Sequence, residues 1–356
     1  MSYVATVQNA LRNDYPSNYD KLERRPTEAG GLEIFRKQSL DPSNFISPYA
    51  AGLIEDSYGA AAEVNHPVLN ARTVTIGNTI SCALPAASDG DAALIVTAAP
   101  VTYTFGFTMV KDQHIKNDIP YTAALMEKLM AYDLQMQKDM DVDALGVIEA
   151  AINQHFPASI GAYYSQTANA LQVAQANKDD FYNKLSAILG EMDFSGNADI
   201  LANRVHQPMV NRFINQGAGN SENQAFQFQG FQYFFDNSDR LTNNVSVEST
   251  IYAIKAGSLF SKDRIPSAYK GEGTYLGDRR SPIKAKHTMV MPVTGTEMAV
   301  LYQQDCSDQS SLGIGEANAA SFVEGWTFFV QKFYLSVYNS APSTRFTPIL
   351  KAEILA

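Results

Sequence analysis

Residues 118–156, DIPYTAALMEKLMAYDLQMQKDMDVDALGVIEAAINQHF, are the stretch that decides the fold we predict for this chain. Apolar residues recur there at steps of three and four, which is the spacing of one face of an α-helix. These residues are Leu125, Leu129, Tyr132, Met136, Met140, Ala144, Val147 and Ala151. Asn117 or Asp118 can cap the start of the helix, and Pro157 stops it. A helix of this length, roughly 55 Å at about 1.5 Å per residue, is more typical of a plate-like protein than of a compact enzyme.

The composition allows a large core and indicates a surface with few charges. The chain has 356 residues, of which 45% are hydrophobic and 11% aromatic, and this aromatic content favours β-structure. Only 18% of the residues are charged, which is below the usual quarter. A surface of this kind is better suited to a protein covered by neighbouring subunits than to a soluble monomer.

Charge and termini argue against several classes of function. The net charge is −10, and no basic run occurs, so we do not expect a dedicated nucleic-acid binder. The start lacks a basic segment followed by an apolar one, which predicts no signal peptide. The chain contains no stretch of about 18 apolar residues, so we expect no membrane span. Cys82 and Cys306 suit free thiols in a reducing cytoplasm and do not imply a metal site.

The first 110 residues are predicted to form an arm followed by a β-hairpin. Prolines punctuate residues 1–70, so we expect an extended arm with one or two short helices, and a disordered tail is the alternative. Residues 74–80 and 101–109 then alternate apolar residues with threonine and other small residues, which is the strand pattern, and Asp89-Gly90 favours a turn between them. An isolated hairpin exposes its edges, so it needs a sheet or a partner subunit.

The chain after the long helix is predicted to mix helices and strands before it returns to long strands, without an internal repeat. The predicted elements are a polar link at 157–177, a helix at 179–192, a strand at 198–202, a helix at 207–215, a loop at 217–223, aromatic strands at 226–235, a strand at 247–256, a polar stretch at 261–280, and single long strands at 288–303 and 325–338.

No motif in the sequence points strongly to chemistry. The histidines at 66, 114, 155, 206 and 287 lack metal-ligand spacing. Gly313-Ile314-Gly315 lacks the third glycine of a dinucleotide fingerprint. Asp139, Asp141 and Asp143 fall on or near the polar side of the long helix, where we expect a solvated or salt-bridged face. We therefore predict no enzyme activity, no catalytic residue, no cofactor and no metal.

The order of these parts resembles the major capsid proteins of tailed bacteriophages, whose fold is shared with herpesvirus capsid floors and encapsulins. The resemblance implies an α+β fold in which the long helix is a spine. The implied divisions are an N-terminal arm at 1–70, an extended loop hairpin at 71–112, the spine helix with part of the peripheral domain at 113–177, an axial domain at 178–286, and peripheral return strands with the C-terminus at 287–356.

The resemblance also implies a function. The chain is then expected to self-assemble through hexamers and pentamers into an icosahedral head shell that encloses viral DNA without sequence-specific binding. Scaffolding, portal and possibly decoration proteins are the implied partners, and the location is the virion, after synthesis in the host cytoplasm, with no membrane. Candidate residues for contacts between subunits are Val74, Ile76, Ile80, Tyr103, Phe105 and Phe107.

One departure from the family concerns covalent crosslinking. Some members join subunits through a lysine of the extended loop, whereas residues 73–110 contain no lysine, so we do not expect that crosslink here. The N-terminal residues contain no long charged coiled-coil segment. A separate scaffolding protein, or an N-terminal piece already removed, is therefore implied.

Two other interpretations remain open at this point. The first is an encapsulin-like cellular nanocompartment, which shares the fold. The second is a β-rich polysaccharide-binding or hydrolysing protein that uses the aromatic residues of 226–235 to stack on sugars. Those aromatic residues alternate along the strands and are mostly phenylalanine, which favours core packing instead.

Overall fold

The computed structural model describes most of the chain in separate stretches. The described residues are 29–41, 44, 64–68, 94–110, 121–152, 156, 158–167, 170–192, 198–217, 227–228, 231–236, 241, 247–270, 273–274, 283–291, 293–305, 323–336 and 349–356.

Four α-helices occur within these residues, and the predicted mixture of helix and sheet is confirmed. They are α1 (Gly30–Ser39), α2 (Tyr121–Ala150), α3 (Lys178–Glu191) and α4 (Gln207–Gly217). The helix α2, which we call the spine helix, has 30 residues and is therefore about 45 Å long. The predicted long helix is confirmed over this range, with its end six residues earlier than expected.

The first large sheet has the long strand β14 at its centre. Its strands are β3 (Val101–Val110), β10 (Leu259–Arg264), β11 (Gly273–Thr274), β12 (Ile283–Val290), β13 (Glu297–Asp305) and β14 (Val323–Ser336), all antiparallel to their neighbours. Lys332 of β14 is paired with Val101 on one side and with Asp263 on the other. The strands β13 and β10 therefore follow one another along one edge of β14, while β3 occupies the opposite edge.

The spine helix packs on one face of this first sheet. Alternate side chains of β14, including Trp326, Phe328 and Val330, belong to the same buried cluster as Leu125 and Leu129 of α2. The opposite face of the sheet is polar and exposed beside β3, because Thr102, Thr104, Thr108 and Thr327 point away from the helix. This period of two is the expected pattern of a sheet with a helix on one face.

The second sheet is mixed and is covered on both faces. Its order is β4 (Ser165–Gln166), β5 (Leu171–Ala174), β15 (Ile349–Leu355), β9 (Val247–Lys255), β6 (Ala198–Asn203), β8 (Phe231–Asp236) and β7 (Gln227–Phe228). One face packs with α3 and α4 around residues such as Ile200, Ile251 and Val210. The other face adds Leu201 and Tyr252 to the core around the spine helix.

Several predicted elements agree closely with the structure. The helix predicted at 179–192 is α3, and the buried strand predicted at 198–202 is β6, in which every residue is buried. The strands predicted at 247–256 and 325–338 are β9 and β14. The stretch from residue 261, polar in sequence, begins inside a strand, because β10 continues to Arg264.

The prediction of one long strand at 288–303 is wrong, because this stretch belongs to two strands. The strands β12 and β13 pair antiparallel across a tight turn. In that turn Gly295 donates to the Met291 carbonyl at 2.9 Å, and the Met291 N–H donates to the Thr296 carbonyl at 2.9 Å. Gly295 has a φ of 62°, a conformation that glycine adopts without steric cost.

Two sets of strand pairings cross the predicted divisions of the chain. The link at 157–177 contains β4 and β5, and β5 pairs in parallel with β15 in the second sheet. The strand β15, in the last predicted division, therefore belongs to the second sheet, whereas β13 and β14 belong to the first. The division at residue 70 separates two strands that pair, β1 (Val64–Val68) and β2 (Leu94–Ala98). The hairpin strand predicted at 74–80 lies outside the described residues.

Candidate functional site

The helix α1, which we call the arm helix, lies at the junction of the two sheets and the spine helix. It contacts α2, β10, β8 and β6. Leu32, Ile34 and Phe35 are fully buried there, and the ring of Phe35 meets that of Tyr334 edge-on with centroids 5.3 Å apart. A segment predicted as part of an extended arm is therefore a central part of the packed core.

The first turn of the arm helix is held by two buried aspartates from distant parts of the chain. The Gly30 N–H donates to Asp236 Oδ2 at 3.1 Å, and the Leu32 N–H donates to Asp141 Oδ1 at 3.1 Å. The residue before the helix, Ala29, offers no side-chain cap. The first N–H groups of a helix lack partners within the helix and carry its positive dipole end, so these carboxylates both pair and stabilise them.

The glycines at this end permit the close approach. A Cβ atom at position 30 would lie 2.7 Å from the Phe235 carbonyl oxygen and from a Leu201 methyl group. A Cβ atom at position 31 would lie 3.0 Å from Leu145. The glycine pair is therefore required by the packing against β8, β6 and the spine helix.

The last turn of the arm helix is anchored by a second set of polar contacts. Lys37 forms an ion pair with Asp199 of β6, and Gln38 Nε2 donates to Asp199 Oδ2 at 3.0 Å. The Ser261 N–H of β10 donates to Ser39 Oγ at 2.7 Å. The arm helix is thus bonded to the second sheet, the spine helix and the first sheet at once.

Acidic residues of the spine helix have structural partners, which corrects the prediction of a solvated or salt-bridged face. Asp141 is fully buried, and Asp143 accepts a hydrogen bond from Tyr103 Oη at 2.5 Å. Only Asp139 of the predicted group is exposed. Asp133, which the sequence analysis did not single out, accepts the Val293 N–H at 2.7 Å and the Thr294 N–H at 3.3 Å in the turn between β12 and β13.

Burial is the largest influence on the pKa of Asp133. Loss of hydration raises the pKa of its carboxyl group, and the N–H donors from Val293 and Thr294 oppose that rise. The position of Asp133 four residues after the buried Leu129, on the apolar face, is the sequence signal that could have identified it. A carboxylate in phase with the core residues of a helix needs a specific donor.

Three of the predicted assembly residues pack against the core of their own chain, where Phe105 and Phe107 are half-buried. Tyr103 is buried on the spine helix, and Phe105 lies between Tyr132 of that helix and Phe328 of β14, with ring centroids 5.0 and 4.7 Å away. Phe107 stacks on the same two rings at 5.7 and 6.0 Å. Contacts in their own subunit therefore account for these side chains. Val74, Ile76 and Ile80 lie outside the described residues, and an assembly role for all six stays a prediction.

One side-chain pair resembles a nucleophile with its base. His206 Nε2 lies 2.5 Å from Ser249 Oγ, beneath α3. Burial, with a smaller contribution from Lys178, lowers the pKa of His206 to about 4. His206 is 4% exposed and Ser249 is 1% exposed, so a substrate has no access to the hydroxyl group. We interpret the pair as a core hydrogen bond.

Two other kinds of feature are absent from the described stretches. No group of three or more histidine, cysteine, aspartate or glutamate side chains there could hold a metal ion. None of the helices there is both long and apolar enough to cross a membrane.

Comparison with solved structures finds similarity to bacteriophage proteins. A structure from Mycobacterium phage Adephagia is similar over 89% of this chain and 92% of that chain, at 11% identity and a TM-score of 0.42. The asymmetric unit of the bacteriophage PhiM1 mature capsid is similar over 85% and 83%, at 10% identity and a TM-score of 0.39. The capsid of cyanophage P-SCSP1u is similar over 85% and 85%, at 10% identity and a TM-score of 0.38. No family model and no curated protein matches the sequence.

Proposed function

We propose that this chain is a major capsid protein of a tailed bacteriophage, which self-assembles into the icosahedral head shell around the viral DNA. One observation carries the proposal. A short helix near the N-terminus, the long strand β3, a 30-residue spine helix, a compact sheet with two helices, and the long strands β12 to β14 follow one another in one chain. In the proposed subunit, the first sheet with the spine helix forms the peripheral domain, and the second sheet forms the axial domain.

The character of the exposed surface supports an assembly role. The outer face of the first sheet carries exposed threonines on β3 and β14, and the whole chain has only 18% charged residues. Uncharged, flat faces of this kind lose little solvation free energy when another subunit covers them. We propose that a neighbouring subunit covers this face in the shell.

The proposed assembly follows from ring closure. Head-to-tail contacts between identical subunits close into rings, here hexamers and pentamers. Each subunit would contact several neighbours through its arm, its extended loop and its domains, so individually weak contacts add up. The chain carries a net charge of −10, so packaged DNA would meet a surface that does not hold it by sequence or by strong attraction. Scaffolding, portal and decoration proteins are proposed partners.

The proposal assigns no catalytic role to any residue. The polar groups around the arm helix and along the spine helix pair with one another inside the subunit, which fits a protein whose task is to keep a defined shape. His206 and Ser249 are part of that interior.

Assembly in vitro tests the proposal. The purified chain is followed at rising concentration by size-exclusion chromatography with light scattering and by electron microscopy, alone and after co-expression with a phage scaffolding protein. Rings, tubes or closed shells are the expected products. A stable 39.0 kDa monomer under every condition would contradict the proposal.

A further inference from the structure

The chain passes from the second sheet to the first through one tight turn. The strand β9 ends at Lys255 and β10 begins at Leu259, so three residues connect the two sheets. Gly257 has a φ of 79°, in the left-handed region that favours glycine. The Ser258 side chain closes the turn by donating to the Lys255 carbonyl at 2.7 Å. A change in the angle between the sheets has to be accommodated at this turn.

A single side chain of the arm helix holds both sides of that turn. Gln38 Nε2 donates to the Lys255 carbonyl at 3.3 Å, and Gln38 Oε1 accepts the Leu259 N–H at 2.8 Å. The amide is 1% exposed, so these bonds do not compete with solvent. Asn44 supports the arrangement by donating to the Leu259 carbonyl at 2.7 Å and to the Gln38 carbonyl at 2.8 Å.

The arm helix connects the same two sheets at its other contacts. Asp236 and Asp199 bind it from the second sheet, Asp141 from the spine helix, and the Ser261 N–H from the first sheet. The helix has ten residues, and a helix this short is not stable in isolation, so its structure depends on being docked. If the arm helix undocked, these buried groups would lose their hydrogen bonds to it. The turn would lose its bonds to Gln38 at the same time.

We propose that the arm helix is a conformational lock. When it is docked, Gln38 fixes the turn at Gly257 and thereby the angle between the two sheets. When the arm is displaced, the turn is released and the sheets can reorient. The lock is a property of the single subunit and does not depend on shell formation. In a shell, it would couple the position of the N-terminal arm to the shape of the subunit.

Hydrogen exchange on the full chain tests the lock. In Gln38→Ala, the amides of residues 256–260 are expected to exchange at least about ten-fold faster than in the parent, because two buried bonds to the turn are lost. The amides of α3 and β13 should keep their protection. The control Leu40→Gln changes a residue at the end of the same helix that is 83% exposed, and it should match the parent. Unchanged protection of the turn, or lost protection throughout the chain, would overturn the proposal.

A reversible tether gives a second, independent readout. Ser39 Oγ and Ser261 Oγ lie 3.4 Å apart, so cysteines at both positions are placed to form a disulfide between the arm helix and β10. The pair is introduced into the chain that keeps Gln38, with Cys82 and Cys306 replaced by serine. Oxidation holds the arm helix docked and should slow exchange at the turn, and reduction should restore the faster exchange. Equal exchange at the turn in the oxidised and reduced proteins, once mass spectrometry has shown that the disulfide forms, would overturn the proposal.

Distance measurement tests the reorientation itself. Spin labels are placed at Thr104, exposed on the first sheet, and at Ser186, exposed on α3 above the second sheet, again without the native cysteines. Pulsed electron resonance should give a narrow distance distribution in the parent and in Leu40→Gln. Gln38→Ala should broaden or shift it. An unchanged distribution in Gln38→Ala would show that Gln38 does not set the angle between the sheets.

Discussion

The carboxylate of Asp141 in the spine helix accepts a hydrogen bond from the backbone N–H of Leu32, 109 residues earlier in the chain, at 3.1 Å. Both residues are fully buried. The contact fixes the start of the arm helix to the middle of the spine helix. Because Asp236 binds the neighbouring Gly30 N–H, the spine and the second sheet share the first turn of one short helix.

We expect Asp141→Ala to destabilise the subunit. The substitution removes the acceptor of a buried N–H group, and an unpaired buried donor costs about 1–3 kcal/mol. Asp139→Ala is the matched control, because Asp139 is exposed two residues away on the same helix, and its effect should stay within about 0.5 kcal/mol. Urea unfolding followed by circular dichroism measures both. Equal losses in the two variants would show that the buried bond contributes little.

Gly30→Ala and Gly146→Ala should have opposite effects on stability. A methyl group at position 30 meets the Phe235 carbonyl oxygen at 2.7 Å, so the arm helix must shift and lose contacts. At position 146, inside the spine helix, no atom lies within 4 Å of the added carbon, and alanine should stabilise the helix by roughly 0.5–1 kcal/mol. Thermal unfolding compares the pair. A Gly30→Ala variant as stable as the parent would contradict the observed docking of the arm helix.

Regular periodicity made the spine helix, α3, β6 and β14 predictable from the sequence. Each has a continuous apolar pattern that local geometry alone can satisfy. The arm helix was not located, because its stability comes from tertiary contacts and its first two residues are glycines, which are poor helix formers. Its local signals are few: the apolar residues Leu32, Ile34 and Phe35, and basic residues in the last turn.

Pairings between distant segments could not be predicted. The strand β15 pairs in parallel with β5, about 180 residues earlier, and nothing local specifies that register. The turn between β12 and β13 did carry a signal, since Pro292 and Gly295 both interrupt strands. The surroundings of Asp141 and Asp143 were misjudged because their charge suggested solvent, whereas a backbone N–H group and a tyrosine hydroxyl group provide their partners.

Stability should fall on mild acidification because of His206. Burial lowers the pKa of its imidazole to about 4, against about 6.5 in the unfolded chain. Between these values the unfolded chain binds a proton that the folded chain does not, so the free energy of unfolding falls as the pH drops from 6.5 towards 4. The total loss is on the order of 3 kcal/mol.

The variant His206→Gln isolates this contribution. Glutamine keeps a polar group near Ser249 but does not titrate, so its free energy of unfolding should fall less than that of the parent between pH 7.5 and pH 4.5. Urea unfolding at both pH values gives the difference, expected to be about 2 kcal/mol. If the free energy of unfolding falls equally in the two proteins, the pKa of His206 is not lowered in the folded state.

Substitutions at two adjacent residues of β3, Thr104 and Phe105, should distinguish an effect on folding from an effect on assembly. Phe105 stacks between Tyr132 and Phe328, so Phe105→Glu places a charge against the core and should destabilise the first sheet by several kcal/mol. Thr104 is exposed on the opposite face, and Thr104→Glu should leave the subunit folded. If a neighbouring subunit covers that face in the shell, the same charge there should prevent shell formation. Near-ultraviolet circular dichroism reports the fold, and light scattering with electron microscopy reports assembly. Normal shells from Thr104→Glu would place the contacts between subunits elsewhere, and a fully stable Phe105→Glu variant would contradict the packing of β3 on the spine helix.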